Sequence, residues 1–115
     1  MAKTLQETNL QSIEDAVIRF LNMLNSHCPG NLAPHLTPDA ELQADEEARG
    51  LDAVNQFFIR LWDSYPCITF VPENIIVSES GAAAEVTYEA GPGGKGARCM
   101  VFSFKGDKIR RIRCY

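Results

Sequence analysis

The sequence predicts an α+β fold in which three helices pack on a strongly curved, mostly antiparallel sheet. Two segments carry this prediction: a glycine-opened amphipathic helix over residues 50–64, and a strand–turn–strand unit over residues 102–115. Helices that precede a series of consecutive strands are typical of α+β proteins. A cone built in this way encloses a cavity, so binding of a small molecule is the leading functional hypothesis.

The first half of the chain predicts the three helices. The first helix is expected to begin at Ser12, whose hydroxyl is a good N-cap, and to end near Ser26. A short second helix is predicted over 32–36, because Pro34 is tolerated only in a first turn. The third helix is predicted from Leu51 to Ser64 because apolar residues recur at helical spacing up to Pro66, which ends it.

The predicted strands alternate apolar and polar residues and are separated by turn residues. The first lies before helix three, and residues 45–50 form a polar loop after it. The second predicted strand is interrupted at Pro72, which cannot donate a ladder hydrogen bond. The predicted spans are 39–44, 68–71 with 74–78, 82–90, 97–104 and 108–115.

Length and charge restrict the possible partners. The 115 residues suit a single domain, 1–115, with a polar tail at 1–11. The net charge of −4 disfavours nucleic acid and anionic membranes as partners. No run approaches the roughly 18 apolar residues of a membrane span. Because the N-terminus has no apolar run, we expect no signal peptide and a cytoplasmic location.

Cysteine and histidine usage predicts neither a metal site nor a cofactor. Cys28, Cys67, Cys99 and Cys114 form no Cys-x-x-Cys pair, and the chain has only two histidines. Zinc sites require a closer cluster of such ligands. We therefore expect four reduced thiols.

Four motifs follow one another along almost the whole chain. They are Ala16-x-x-Arg19-Phe20-Leu21-x-x-Leu24-Asn25, Leu36-Thr37-Pro38-Asp39-Ala40, Gly50-x-x-Ala53-Val54-x-x-Phe57 and Phe102-x-Phe104-x-Gly106-x-Lys108-Ile109-x-x-Ile112. Their order resembles the nuclear transport factor 2-like superfamily, and most closely its SnoaL-like and ketosteroid-isomerase-like branch. The resemblance implies a cone-shaped, cystatin-like fold. It does not fix the function, because the superfamily contains isomerases, cyclases, dehydratases, epoxide hydrolases and non-catalytic domains.

The ketosteroid isomerase chemistry implied by one part of this branch lacks its polar groups here. That chemistry uses a carboxylate base and an oxyanion hole made by a tyrosine and a protonated acid. The corresponding positions fall at Phe20, Ala44 and Met100. A phenyl ring, a methyl group and a thioether cannot transfer a proton, so we do not expect this reaction by the usual residues.

Three polar residues are the remaining candidates for chemistry in the cavity. Tyr88 is predicted to point inward near the mouth, where its hydroxyl needs a partner or a ligand. Asp45 is the candidate acid or base, although it needs a bend in the chain to reach the cavity. Arg98 is in phase with the inward strand residues, and its guanidinium suits a carboxylate or phosphate. The alternatives are solvated side chains or a salt bridge at the rim.

The rest of the predicted cavity wall is apolar. Such residues are also the usual content of a packed core, so both interpretations stay open at this stage. The predicted ligand-binding side chains, besides Arg98, are Phe20, Leu24, Leu42, Phe57, Leu61, Val86, Met100, Phe102, Ile112 and Cys114.

The outer sheet face is predicted to carry a mixture of apolar, small and charged residues. Such a face favours burial against a second copy, and the resemblance also implies a homodimer through it. The predicted outer residues are Glu85, Thr87, Glu89, Val101, Ser103, Ile109 and Tyr115.

The sequence therefore predicts a domain that binds a small hydrophobic molecule, either neutral or with an anionic group. A divergent cofactor-independent isomerase, cyclase or hydrolase is one form of this hypothesis. A non-catalytic carrier or protein-association module is the alternative.

Overall fold

Two α-helices lie over the concave face of one six-stranded sheet. The computed structural model describes residues 2–115, with side chains from Leu10 onwards except that of Pro29. Neighbouring strands are antiparallel, except that β1 and β6 are parallel, and the order across the sheet is β2-β1-β6-β5-β4-β3. The elements are α1 (Ala2–Ser26), β1 (Leu36–Gln43), β2 (Glu47–Arg49), α2 (Leu51–Ser64), β3 (Thr69–Val77), β4 (Gly81–Glu89), β5 (Lys95–Lys105) and β6 (Lys108–Cys114).

The α+β class and the curved sheet are confirmed, but the number of α-helices is two and not three. The short second helix is replaced by two single 3-10 turns, Pro29–Asn31 and Ala33–His35. Leu36 then has an extended backbone and begins β1. A segment interrupted this often by proline is too short to propagate an α-helix, so tight turns are the expected outcome.

Helix α1 begins at Ala2, ten positions before the predicted start at Ser12. Neither glycine nor proline occurs between Ala2 and Ser12, so nothing in the backbone stops the helix there. A hydrogen bond from Gln11 Nε2 to Asp15 Oδ1 (3.0 Å) crosses the predicted boundary with helical spacing. Ser12 was therefore wrong as a helix start, although it is a residue type that often caps one.

Helix α2 has the predicted bounds and the predicted buried stripe. Gly50 precedes it with a φ of 88°, a conformation that glycine adopts without strain. Val54, Phe58 and Trp62 recur every four residues and are buried. Phe57 and Leu61 occupy the neighbouring stripe and are only partly buried. Both face open space in the interior of the cone.

The loop predicted at 45–50 contains the short strand β2. After a bend, this strand pairs with β1 through Leu42↔Ala48, and Ala48 is buried. Only one of its three residues is buried, and Glu47 and Arg49 are exposed. The charged side chains led to the prediction of a loop. Strand pairing, however, depends on backbone N–H and C=O groups, which the side-chain charges do not indicate.

The predicted interruption of β3 at Pro72 is confirmed as a shift in register. Pairing with β4 slips by one residue between Pro72 and Asn74, where one residue of β3 is left over. A second irregularity separates Ser103 from Phe104 in the pairing of β5 with β6. It reverses the alternation of β6 so that Ile109 is buried, and its predicted place on the outer face was wrong.

The narrow end of the cone is filled by its own side chains. The ring of Phe20 from α1 makes edge-to-face contacts with Phe58 at 6.2 Å and with Phe102 at 5.9 Å between ring centroids. Phe20 is fully buried, and Ile112 beside Phe102 on the neighbouring strand is 1% exposed. Such aromatic packing fills the interior of the cone around Phe20.

Candidate ligand-binding site

A cavity of about 380 Å³ opens at the wide end of the cone. This volume lies within the range of small-molecule sites, roughly 300–1,000 Å³. Both helices, the inner face of the sheet and the chain after α2 contribute to its wall. The lining residues are Leu24, Leu42, Ala44, Asp45, Phe57, Phe58, Leu61, Tyr65, Ile68, Phe70, Val86, Tyr88, Ala90, Gly94, Lys95, Arg98, Met100 and Cys114.

The structure brings together the predicted polar residues Tyr88, Asp45 and Arg98 around this cavity. Seven of the predicted apolar or thiol positions line it as well: Leu24, Leu42, Phe57, Leu61, Val86, Met100 and Cys114.

Three predicted wall residues do not reach the cavity. Phe20, Phe102 and Ile112 face the interior of the cone, as strand and helix phase required, but they pack against one another at the closed end. Phase along an element gives the direction of a side chain and not its depth in the cone. These three residues therefore belong to the packed core of this structure.

Several lining residues were missed by sequence reasoning. Tyr65 and Ile68 lie in the irregular segment after α2, where no periodicity applies. Phe70 could have been found, because it pairs across the sheet with Tyr88 and therefore lies on the same inner face. Lys95 belongs to a segment that was read as a loop, although it begins β5.

Arg98 reaches the mouth from β5, where it is paired with Val86. Its Nη2 atom lies 3.8 Å from Asp45 Oδ2, and the two side chains are 43% and 91% exposed. That distance is longer than the roughly 2.7–2.9 Å of a charge-assisted hydrogen bond. Within the described part of the chain Arg98 thus has an electrostatic partner but no close hydrogen-bond acceptor.

Asp45 reaches the mouth because the chain bends after β1. The N–H of Ala44 donates a hydrogen bond to the carbonyl of Glu46 (3.0 Å), and this tight turn carries Asp45 out of the strand alternation. The bend that the sequence argument required is therefore present. The carboxylate remains in solvent, so its main contact is the ion pair with Arg98.

A second cation lies at the same mouth. Lys95 at the start of β5 is 3.5 Å from Glu89 Oε1 of β4, and both side chains are largely exposed. Ion pairs between exposed groups contribute only about 0–1 kcal/mol. Arg98 and Lys95 are consequently held in place only weakly by acids of the protein.

Tyr88 is held over a glycine on the next strand. Tyr88 pairs with Gly96, and a Cβ atom at Gly96 would overlap the Tyr88 ring. The absence of a side chain at position 96 therefore lets the ring lie flat against β5. No hydrogen bond joins the Tyr88 hydroxyl to another described residue, so it is free to bond to solvent or a ligand.

The cavity also contains a thiol that is unsuited to nucleophilic chemistry. Burial raises the pKa of the Cys114 thiol to about 11, while the nearby Arg98 acts in the opposite direction. A thiol with this pKa is protonated at neutral pH, and only the thiolate is a good nucleophile. Cys114 thus contributes apolar surface to the wall.

Neither a metal centre nor a membrane helix can be identified in the described part of the chain. From Leu10 onwards, where side chains are described, no three histidine, cysteine or acidic side chains are arranged to hold a metal ion. Among the same residues, no helix combines the length and apolar character needed to cross a membrane.

Solved structures with this architecture come from several sources. Bal32a from a soil-derived mobile gene cassette is 18% identical, with a TM-score of 0.84 over 93% of this chain and 90% of that one. A SnoaL-like polyketide cyclase from Agrobacterium tumefaciens is 19% identical, with a TM-score of 0.77 over 90% of this chain and 89% of that one. A nuclear transport factor 2-like protein from Anabaena variabilis is 20% identical, with a TM-score of 0.78 over 93% of this chain and 87% of that one. At such identities the likeness concerns the fold alone.

Comparison of sequences identifies the family of the chain, which likeness of fold does not. No curated protein sequence is significantly similar to the chain. The family model of the SnoaL-like domain, however, matches residues 17–112, which run from the middle of α1 into β6. The protein therefore belongs to the SnoaL-like domain family.

Proposed function

We propose that this protein binds a small, largely apolar molecule in the cavity at the wide end of the cone. One observation carries the proposal: Phe20, Phe58 and Phe102 pack closely together inside the cone, yet a mostly apolar space of about 380 Å³ remains open beside them. Interiors of proteins are normally packed to the density of organic crystals. An apolar space of this size with a few polar groups at its mouth suits a ligand better than it suits a core.

Catalysis in this cavity is a finer form of the proposal. A cofactor-independent isomerase, cyclase or hydrolase would need a group that moves a proton, and Tyr88 is the best placed because its hydroxyl has no bond within the described chain. Asp45 is the weaker candidate, since it is 91% exposed and sits beside Arg98. The polyketide cyclase of the same fold from A. tumefaciens favours a cyclase within this class.

A non-catalytic carrier or association module in the cytoplasm is the second candidate. It is favoured by the residues at the three positions that would hold the isomerase groups. Phe20 is packed in the core, and the cavity receives only a methyl group from Ala44 and a thioether from Met100. A carrier needs the cavity and a specific mouth but no proton transfer.

Native mass spectrometry of the freshly purified protein tests the binding proposal. We expect the folded protein to carry a hydrophobic small molecule, which denaturation releases for identification. Incubation of that molecule with the protein then separates the two candidates. Conversion that is lost in Tyr88→Phe supports an enzyme, and recovery of the unchanged molecule supports a carrier. A folded protein that retains none of a panel of apolar compounds would contradict the proposal.

A further inference from the structure

The charged groups of the cavity lie at its mouth and comprise two cations, Arg98 and Lys95, and the carboxylate of Asp45. Arg98 and Lys95 both line the cavity, whereas its deeper wall is formed by residues such as Leu24, Val86 and Met100. The lining therefore has one charged end and one apolar end. A ligand that matches it must have the same division.

Arg98 differs from Arg111, an arginine that joins two strands of the sheet. Arg111 on β6 donates through Nε to Glu41 Oε2 at 3.2 Å, and both side chains are about one-third exposed. Arg98 has no such bond within the described chain, and its acid lies at 3.8 Å. A guanidinium has five N–H donors in a planar fork, which fits a carboxylate with two parallel hydrogen bonds.

From this geometry we infer that the ligand is an amphipathic carboxylate, whose carboxylate displaces Asp45 from Arg98 while its apolar body enters the cavity. This inference rests on the proposed binding function and specifies the ligand class for the same site. Asp45 is then a competitor for the ligand. It occupies the cation loosely in the free protein and moves into solvent when the ligand arrives.

The roles of Arg98 and Asp45 predict opposite effects of removing each charge. Arg98→Met should weaken binding of a carboxylate ligand about tenfold, at the lower end for a bond to a charged group because the mouth is wet. Asp45→Asn should strengthen it about twofold to fivefold, the value of an exposed ion pair. Each effect should be larger for the carboxylate than for a neutral ligand of the same shape.

Competition between ligands with identical tails measures this directly. The reporter is N-phenyl-1-naphthylamine, a neutral fluorescent probe, and the competitors are decanoate, decyl phosphate and decanol. The wild-type protein should prefer decanoate to decanol. That preference should collapse in Arg98→Met and rise in Asp45→Asn. The matched controls Arg110→Met and Asp63→Asn, which remove the same charges at exposed positions outside the cavity, should leave it unchanged.

The other outcomes separate the two proposals. If the neutral probe binds but the preference for decanoate is absent, or survives in Arg98→Met, the inference is overturned and the binding function stands. A stronger preference for decyl phosphate than for decanoate overturns the choice of carboxylate. If neither the probe nor any competitor binds to the folded wild-type protein, the proposed function and this inference both fail.

Discussion

Gly96 determines where the Tyr88 ring can lie, because the ring occupies the space of a missing Cβ. We predict that Gly96→Ala destabilises the protein by about 1–3 kcal/mol, the usual cost of overpacking. Urea unfolding measures this change. Gly30→Ala is the matched control, since a Cβ there meets no atom within 4 Å. Its free energy of unfolding should stay within about 0.5 kcal/mol of the wild-type value.

A double-mutant cycle shows whether Tyr88 is the cause. In the background of Tyr88→Ala, the substitution Gly96→Ala should lose most of its cost because the overlapping ring is gone. Additive effects of the two substitutions would contradict the contact between the ring and Gly96.

The Cys114 thiol should react more slowly than the thiols of Cys28 and Cys67. Its pKa of about 11 means that the folded protein keeps it protonated at pH 8, whereas Cys28 and Cys67 are exposed. Alkylation with iodoacetamide at pH 8, followed by peptide mass spectrometry, should modify Cys28 and Cys67 well before Cys114. Faster modification of Cys114 in the folded state would refute its burial.

The same pKa predicts a loss of stability at alkaline pH. Because the folded pKa is raised above the ordinary value of 9.0, the unfolded chain releases this proton first as the pH rises from about 9 to 11. The contribution of the protonated Cys114 thiol to the free energy of unfolding is therefore fully present below pH 9, and it is lost as the pH rises through that interval. Unfolding free energies of Cys114→Ala should fall less steeply across it than those of the wild type.

At the scale of elements, one side chain attaches α1 to the edge strand β3. The Nδ2 atom of Asn25 donates to the Phe70 carbonyl at 2.8 Å, and the Phe70 N–H donates to Asn25 Oδ1 at 2.7 Å. His27 adds a contact between its Nε2 and the Ile68 carbonyl at 2.6 Å. The amide of Asn25 thus replaces the neighbouring strand that an edge strand lacks.

Asn25→Ala should therefore cost about 1–3 kcal/mol, since it leaves two part-buried backbone groups without partners. It should also weaken binding of the neutral probe, because Phe70 lines the cavity. Thermal unfolding and probe titration measure the two effects. Asn22→Ala, at an exposed position one turn earlier on α1, is the control, and equal behaviour of the two variants would contradict the attachment.

The elements also show what sequence reasoning can reach. Periodicity and flanking residues predicted α2 to the residue and the break of β3 at Pro72, because both depend on local chemistry. Strand β2 was missed because its charged residues resemble a loop, although its backbone pairs with β1 in a short hairpin. The cavity wall was predicted in direction but not in depth, so Phe20 and Phe102 were included although they pack the closed end.

At the scale of the whole molecule, the outer sheet face leaves large apolar side chains in solvent. Val71, Ile76 and Tyr115 are 51%, 65% and 65% exposed. We predict that two copies pack through this face, since a second copy offers the same apolar side chains. Sedimentation equilibrium should give a dimer for the wild type and a monomer for Ile76→Lys. The control Ile18→Lys, at an exposed position on α1, should remain dimeric, and a monomeric wild type would refute the prediction.

The most direct test of the binding site is a titration of the neutral probe N-phenyl-1-naphthylamine into the wild type and two tryptophan variants. Leu61→Trp places a large ring in the cavity, whereas Ile18→Trp makes a comparable change on the surface of α1. We predict saturable binding to the wild type and to Ile18→Trp, and a large loss of affinity in folded Leu61→Trp. Equal binding by all three proteins, or none by the wild type, would contradict a ligand site at the wide end of the cone.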